Sequence, residues 1–222
     1  MIYILLFTSV FIGYLIALIL KVKEVKSLSI YLAFSGSFLL ALTIFELLPV
    51  VYQNPNKTIG VYIIAGILLQ IILEFFSQGA EHGHVHINKH TNSFPWLLFI
   101  SLSIHALLEG VPITENNNLL IGIMVHKIPI ALILSVFFIK ANYKKTTILI
   151  FLFLFGLMTP LGNWLSNNFE ITQTYQREIT AVAIGVFFHV STTILFESSK
   201  NHQFNLSKMS AVILAIVIAY FL

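Results

Sequence analysis

The chain has no cysteine and no aspartate, and only 9% of its 222 residues are charged. Without cysteine there are no disulfides and no thiolate metal ligands, so any bound metal must be held by nitrogen and oxygen donors. Without aspartate, the nine acidic residues are all glutamates. The shortage of charge excludes an ordinary soluble domain, in which about 25% of residues are charged. The charge that exists is also dispersed. A net charge of +3 comes from lysines in short loops, with no basic stripe for a nucleic-acid partner.

What the chain does have is apolar sequence, 58% of the total. Hydropathy separates eight candidate helices near 2–20, 28–51, 58–78, 94–113, 119–140, 146–166, 177–197 and 206–222. The expected fold is therefore all-α: one polytopic transmembrane domain over 1–222, with no soluble domain and no linker long enough for one. The first segment begins at Met1 without a basic n-region or a small-residue cleavage site, and reads as a retained helix. Basic residues cluster in alternate loops. Lys21, Lys23, Lys26, Lys89, Lys140, Lys144, Lys145, Lys200 and Lys208 lie on one side, Lys57 and Arg177 on the other. The positive-inside rule puts the richer set in the cytoplasm and both termini outside. The surrounding solvent is then the lipid bilayer of the cell (inner) membrane.

The loop after the third span, 79–93, is the longest. It carries His82, His84, His86 and His90 among glycines, a pattern suited to labile capture of a metal by imidazole. A neutral solvated loop is the plainer alternative.

Ionisable residues also occur inside the spans, where a charged group costs roughly 2.5–3.5 kcal/mol on insertion scales. His105 and Glu109 stand at i and i+4 in SLSIHALLEGVPI, on one helix face. His126 lies in the next span, in IGIMVHKIPIALIL. Counted from the short loop 114–118, both histidines lie about 12 Å deep at ~1.5 Å per residue. Pro112 and Pro129 follow them and free the carbonyls of Leu108 and Val125, which must then face protein, water or an ion. One histidine would suggest an interhelical hydrogen bond. Two at one depth, with a glutamate one turn away, point to a metal or proton site.

Other polar positions leave alternatives open. Glu46 precedes Leu47-Leu48-Pro49 and is either an outer ligand or a headgroup-level carboxylate. Gln70 and Glu74 are i, i+4 and read as a structural pair. His189, with Ser191 and Thr192, polarises the seventh span. Thr159-Pro160-Leu161-Gly162 interrupts the sixth, in the manner of the broken helices where transporters build sites.

These motifs resemble the ZIP (Zrt/Irt-like protein) family of divalent metal transporters over nearly the whole chain. His105-Ala-Leu-Leu-Glu-Gly110 is similar to the family's fourth-helix signature, and His126-Lys-Ile-Pro-Ile-Ala131 to its fifth. Leu157-Met-Thr-Pro-Leu-Gly162 is close to the sixth-helix motif, and Phe45-Glu-Leu-Leu-Pro49 resembles a second-helix motif that usually has His at position 46. The resemblance implies eight helices, outward termini and a cytoplasmic His-rich loop. It also implies a metal site that in many members holds two ions bridged by glutamates. This chain departs there: the fifth-helix glutamate is Ile130, and the fourth-helix Asn or Ser is Ala106. Lys127 follows the fifth-helix histidine, as in some family branches, and its ammonium takes the place of a second cation. His189 stands where an aromatic is usual and is expected to restore a lost ligand.

The expected function is transport of a divalent metal into the cytoplasm. Zinc is first on ligand type, with Fe²⁺ or Mn²⁺ open. The expected metal residues are His105, Glu109, His126, His189 and Glu46, with capture at the loop histidines. No nucleotide-binding loop is present, so a gradient must drive the flux. A second copy of the chain is an optional partner. The alternatives are an intramembrane zinc hydrolase, with Glu109 as base and three histidine ligands, and a divergent member that binds metal without moving it.

Overall fold

A computed structural model describes residues 2–20, 28–53, 57–77, 94–114, 118–197 and 206–222. Among these the regular structure is entirely helical. The long helices are α1 (Ile2–Leu20), α2 (Ser29–Val51), α3 (Lys57–Ser77), α4 (Trp96–Gly110), α5 (Leu119–Lys140), α6 (Lys145–Asn168), α7 (Gln176–Glu197) and α8 (Leu206–Phe221). A five-residue helix, Glu170–Thr174, joins α6 to α7. Six of the long helices have the length and apolarity to cross a membrane; α4 and α8 are apolar but shorter, at 15 and 16 residues.

Proline explains two local departures from regular helix. In α2 a wide π turn, Thr43–Leu47, lies just ahead of Pro49, and Leu48 N–H donates to the carbonyl of Thr43. A regular helix would drive the Pro49 ring against the carbonyl of Phe45, and the extra residue in the turn relieves that clash. The second departure corrects the expected span 94–113, because α4 stops at Gly110. Pro112 does not leave Leu108's carbonyl free as the sequence suggested. The helix tightens instead, with Val111 N–H donating to Leu108 O at 3.3 Å and Ile113 N–H to Gly110 O at 3.4 Å.

The helices pack as two groups. In one, α5 lies along α1 and α4 along α6, with α1 also against α6. In the other, α3 lies along α7 and α2 packs on α8 and α7. Glycines set the closest approaches inside each group. A Cβ on Gly162 would sit 2.0 Å from the carbonyl oxygen of Leu107, and one on Gly110 would sit 2.2 Å from that of Thr159, so α4 and α6 touch backbone to backbone. Gly66 and Gly185 do the same for α3 and α7. Such small-residue contacts are how helices associate where water supplies no hydrophobic force. Contacts between the groups are fewer and run through α2 with α5, α3 with α4, and α4 with α7. Large apolar side chains such as Phe75 and Ile19 point outward.

Candidate metal centre

Among the described residues, the fully buried ionisable side chains are gathered in one place. His105 and Glu109 on α4 and His126 and Lys127 on α5 are all at most 3% exposed. Helical spacing brings His105 Nε2 to 2.9 Å from Glu109 Oε1. His126 approaches the same oxygen from α5, its Nε2 3.8 Å away, and the two imidazole centroids are 6.4 Å apart. One ligand atom from each of the three residues can be chosen so that all lie within 4.8 Å of one another, and this is the one such group among the described residues. The backbones of α4 and α5 hardly meet, so the two helices are joined here through side chains.

The two oxygens of Glu109 do different things. Oε1 faces the imidazoles, while Oε2 accepts from Lys127 Nζ at 2.8 Å. The ammonium also lies 4.7 Å from the centre of the Phe155 ring, which lends it cation–π support. Lys127 is therefore bound to the same carboxylate that the histidines share, a pairing that spans two helices and left no mark in the local sequence.

The carboxylate's surroundings come from α6. Thr159 Oγ1 donates to the carbonyl of Ala106 at 2.9 Å, and lies 3.5 Å from Glu109 Oε2. Asn163 Nδ2 donates to the carbonyls of Gly110 and Ile113, satisfying the end of α4. In the sequence Asn163 is marked only as an amide directly after the Thr-Pro-Leu-Gly break. Ala106 and Ile130, where the resemblance places further ligands, are buried in the apolar core with Leu102, Leu134 and Phe155.

The remaining expected site residues are placed elsewhere. His189 Nε2 is hydrogen-bonded to Glu74 Oε2 across the α3–α7 contact, and both are partly buried. Glu46 sits on the π turn of α2, and its Oε2 accepts the backbone N–H of Asn118 at 2.8 Å, just ahead of α5. That contact suits a carboxylate at a helix N-terminus. Gln70, read from sequence as the partner of Glu74, reaches His105: its Oε1 lies 3.0 Å from Nδ1. His82, His84, His86 and His90 lie outside the described residues.

A family model for the ZIP zinc transporters matches residues 77–221, well over half of the chain. The chain belongs to the ZIP family. Its curated relatives include a zinc transporter ZIP1 of Danio rerio, 37% identical over 93 residues covering 38% of this chain and 30% of the relative. Protein zntD of Dictyostelium discoideum is 27% identical over 150 residues, 58% of this chain and 22% of the relative. A zinc transporter ZIP1 of Takifugu rubripes is 30% identical over 88 residues, 37% of this chain and 29% of the relative. The aligned part of this ZIP-family chain thus spans less than a third of the length of each of these relatives. The family match takes in α4 to α8, and so the whole His105, Glu109, His126 and Lys127 group.

Proposed function

We propose that this chain is a permease that carries a divalent metal ion, zinc first, into the cytoplasm through His105, Glu109 and His126. The observation that carries the reading is the convergence of two imidazole nitrogens and one carboxylate oxygen from two helices at one buried point. Two nitrogens and one oxygen suit Zn²⁺, and a three-ligand set leaves coordination positions open, so the ion can be both taken up and released. Fe²⁺ and Mn²⁺ are accepted more weakly by the same donors. Family membership and relatives named as zinc transporters support the choice of ion. Family membership also favours transport over hydrolysis. The hydrolase alternative, with Glu109 as base, counted on His189 as a third ligand, and His189 is bonded to Glu74 away from the trio.

In this reading all eight long helices cross the bilayer with both termini outside, as the loop charges require. Lys127 holds Glu109 Oε2 and places a fixed positive charge beside the ion, so the centre takes one ion and not two. Burial of Ala106 and Ile130 in apolar core supports the same count. Glu46 stands at the outer approach. His189 and Glu74 repeat the imidazole–carboxylate pairing toward the cytoplasmic end of α3 and serve the ion on its way out. The glycine contacts make each helix group stiff, and the thinner contact between groups lets one move against the other to expose the centre alternately.

The test is radiotracer zinc uptake into liposomes containing the purified protein, with iron and manganese as competitors. His105→Ala and His126→Ala should each abolish uptake while the protein remains folded in the membrane. Uptake at the wild-type rate in both variants would reject the site.

A further inference from the structure

Gln70 is fully buried on α3, between Gly66 and Glu74 on the same helix face. An amide in a run as apolar as Ile63–Leu73 must be satisfied by a specific partner, and its Oε1 lies 3.0 Å from His105 Nδ1. We propose that Gln70 is a positioning residue that turns the His105 ring toward the ion from the opposite helix group. This rests on the reading of His105, Glu109 and His126 as the ion site.

The chemistry follows from which atoms can donate. A side-chain carbonyl oxygen only accepts, so His105 Nδ1 carries the hydrogen of this bond. In the neutral ring Nε2, the nitrogen 2.9 Å from Glu109 Oε1, is then the one that offers its lone pair to a metal between them. A ring with the opposite tautomer would present an N–H to the centre and could not ligate there. Second partners of this kind fix ligand histidines, and losing one typically costs about 10–100-fold in metal affinity.

The placement of Gln70 adds a consequence. Its helix is locked to α7 through Gly66 and Gly185, whereas His105's helix is locked to α6 through Gly110 and Gly162. The hydrogen bond therefore joins two separately packed units. A relative shift of one helical turn, about 5.4 Å, is beyond the reach of a hydrogen bond. The ring is held for the ion in the present register and released when the units move, so affinity falls as the site changes sides.

The experiment uses the full chain with His82, His84, His86 and His90 replaced by Ser, comparing Q70L, Q70E and H105A. Zinc binding is measured by calorimetry, and ¹⁵N imidazole spectra report which ring nitrogen of His105 carries hydrogen. Q70L should bind zinc about 10–100-fold more weakly, with a matching rise in KM for uptake and no matching fall in maximal rate. Q70E, which still accepts from Nδ1, should stay within a few-fold of the parent. Parental affinity in Q70L, or equal loss in Q70L and Q70E, would overturn the role of Gln70 alone if H105A loses binding. Parental affinity in H105A would overturn the ion site as well.

Discussion

The sharpest test of the centre is the removal of one charge from the Glu109–Lys127 pair. Glu109→Gln keeps the side chain's size but strands a Lys127 ammonium that is 2% exposed. At 2.8 Å and an effective dielectric constant of 20, the lost attraction is about 6 kcal/mol. Relaxation returns some of this, and breaking buried pairs elsewhere costs about 3–5 kcal/mol. For a chain of this size that lowers the melting midpoint by roughly 6–20 °C. Lys127→Met should be milder, because His105 and His126 remain beside the stranded carboxylate. The double change Glu109→Gln with Lys127→Met removes both charges and should recover most of the loss, giving a coupling energy of about 2 kcal/mol or more. Zinc uptake should stay abolished in the double variant, since the carboxylate is gone. The assay is thermal unfolding in detergent of the four proteins, alongside uptake in liposomes. A Glu109→Gln protein that melts with the wild type, or strictly additive changes, would refute a tight pair. Recovery of uptake in the double variant would refute Glu109 as a ligand.

Other consequences follow from the same packing. With the four loop histidines replaced by Ser, the chain should bind one ion by elemental analysis, because Lys127 repels a second; two ions in that protein would show that the ammonium leaves the centre. His189→Phe breaks the pair with Glu74 and should slow maximal uptake while leaving zinc affinity at the trio nearly unchanged. A large loss of affinity would instead make His189 a ligand. Gly162→Ala puts a methyl 2.0 Å from Leu107 O and should destabilise the protein by about 1–3 kcal/mol and reduce uptake, as α4 is pushed off α6. Gly60→Ala, with nothing nearer than 3.6 Å, is the control and should leave stability unchanged or raise it by up to about 1 kcal/mol in unfolding experiments.

The amino-acid sequence by itself determined the helical character of the chain and the location of its costly residues. Long apolar runs admit helix wherever the backbone must satisfy its own hydrogen bonds in lipid. The i, i+4 spacing of His105 and Glu109 is a property of one helix, so it was readable from one segment. The matched depth of His126 was readable because one short loop separates the two helices. The tertiary structure alone decided which polar groups meet across helices, since that depends on how each helix is rotated about its axis. It gave Lys127 to Glu109, Gln70 to His105, Glu74 to His189 and Glu46 to the start of α5. Spacing along α3 suggested that Gln70 and Glu74 serve each other, and both also reach neighbouring helices. The end of α4 was likewise a tertiary matter: Asn163 of α6 is there to take up its carbonyls. Apolar pattern fixes where a membrane helix lies, and the pairing of the few buried polar groups then fixes how the helices turn toward one another.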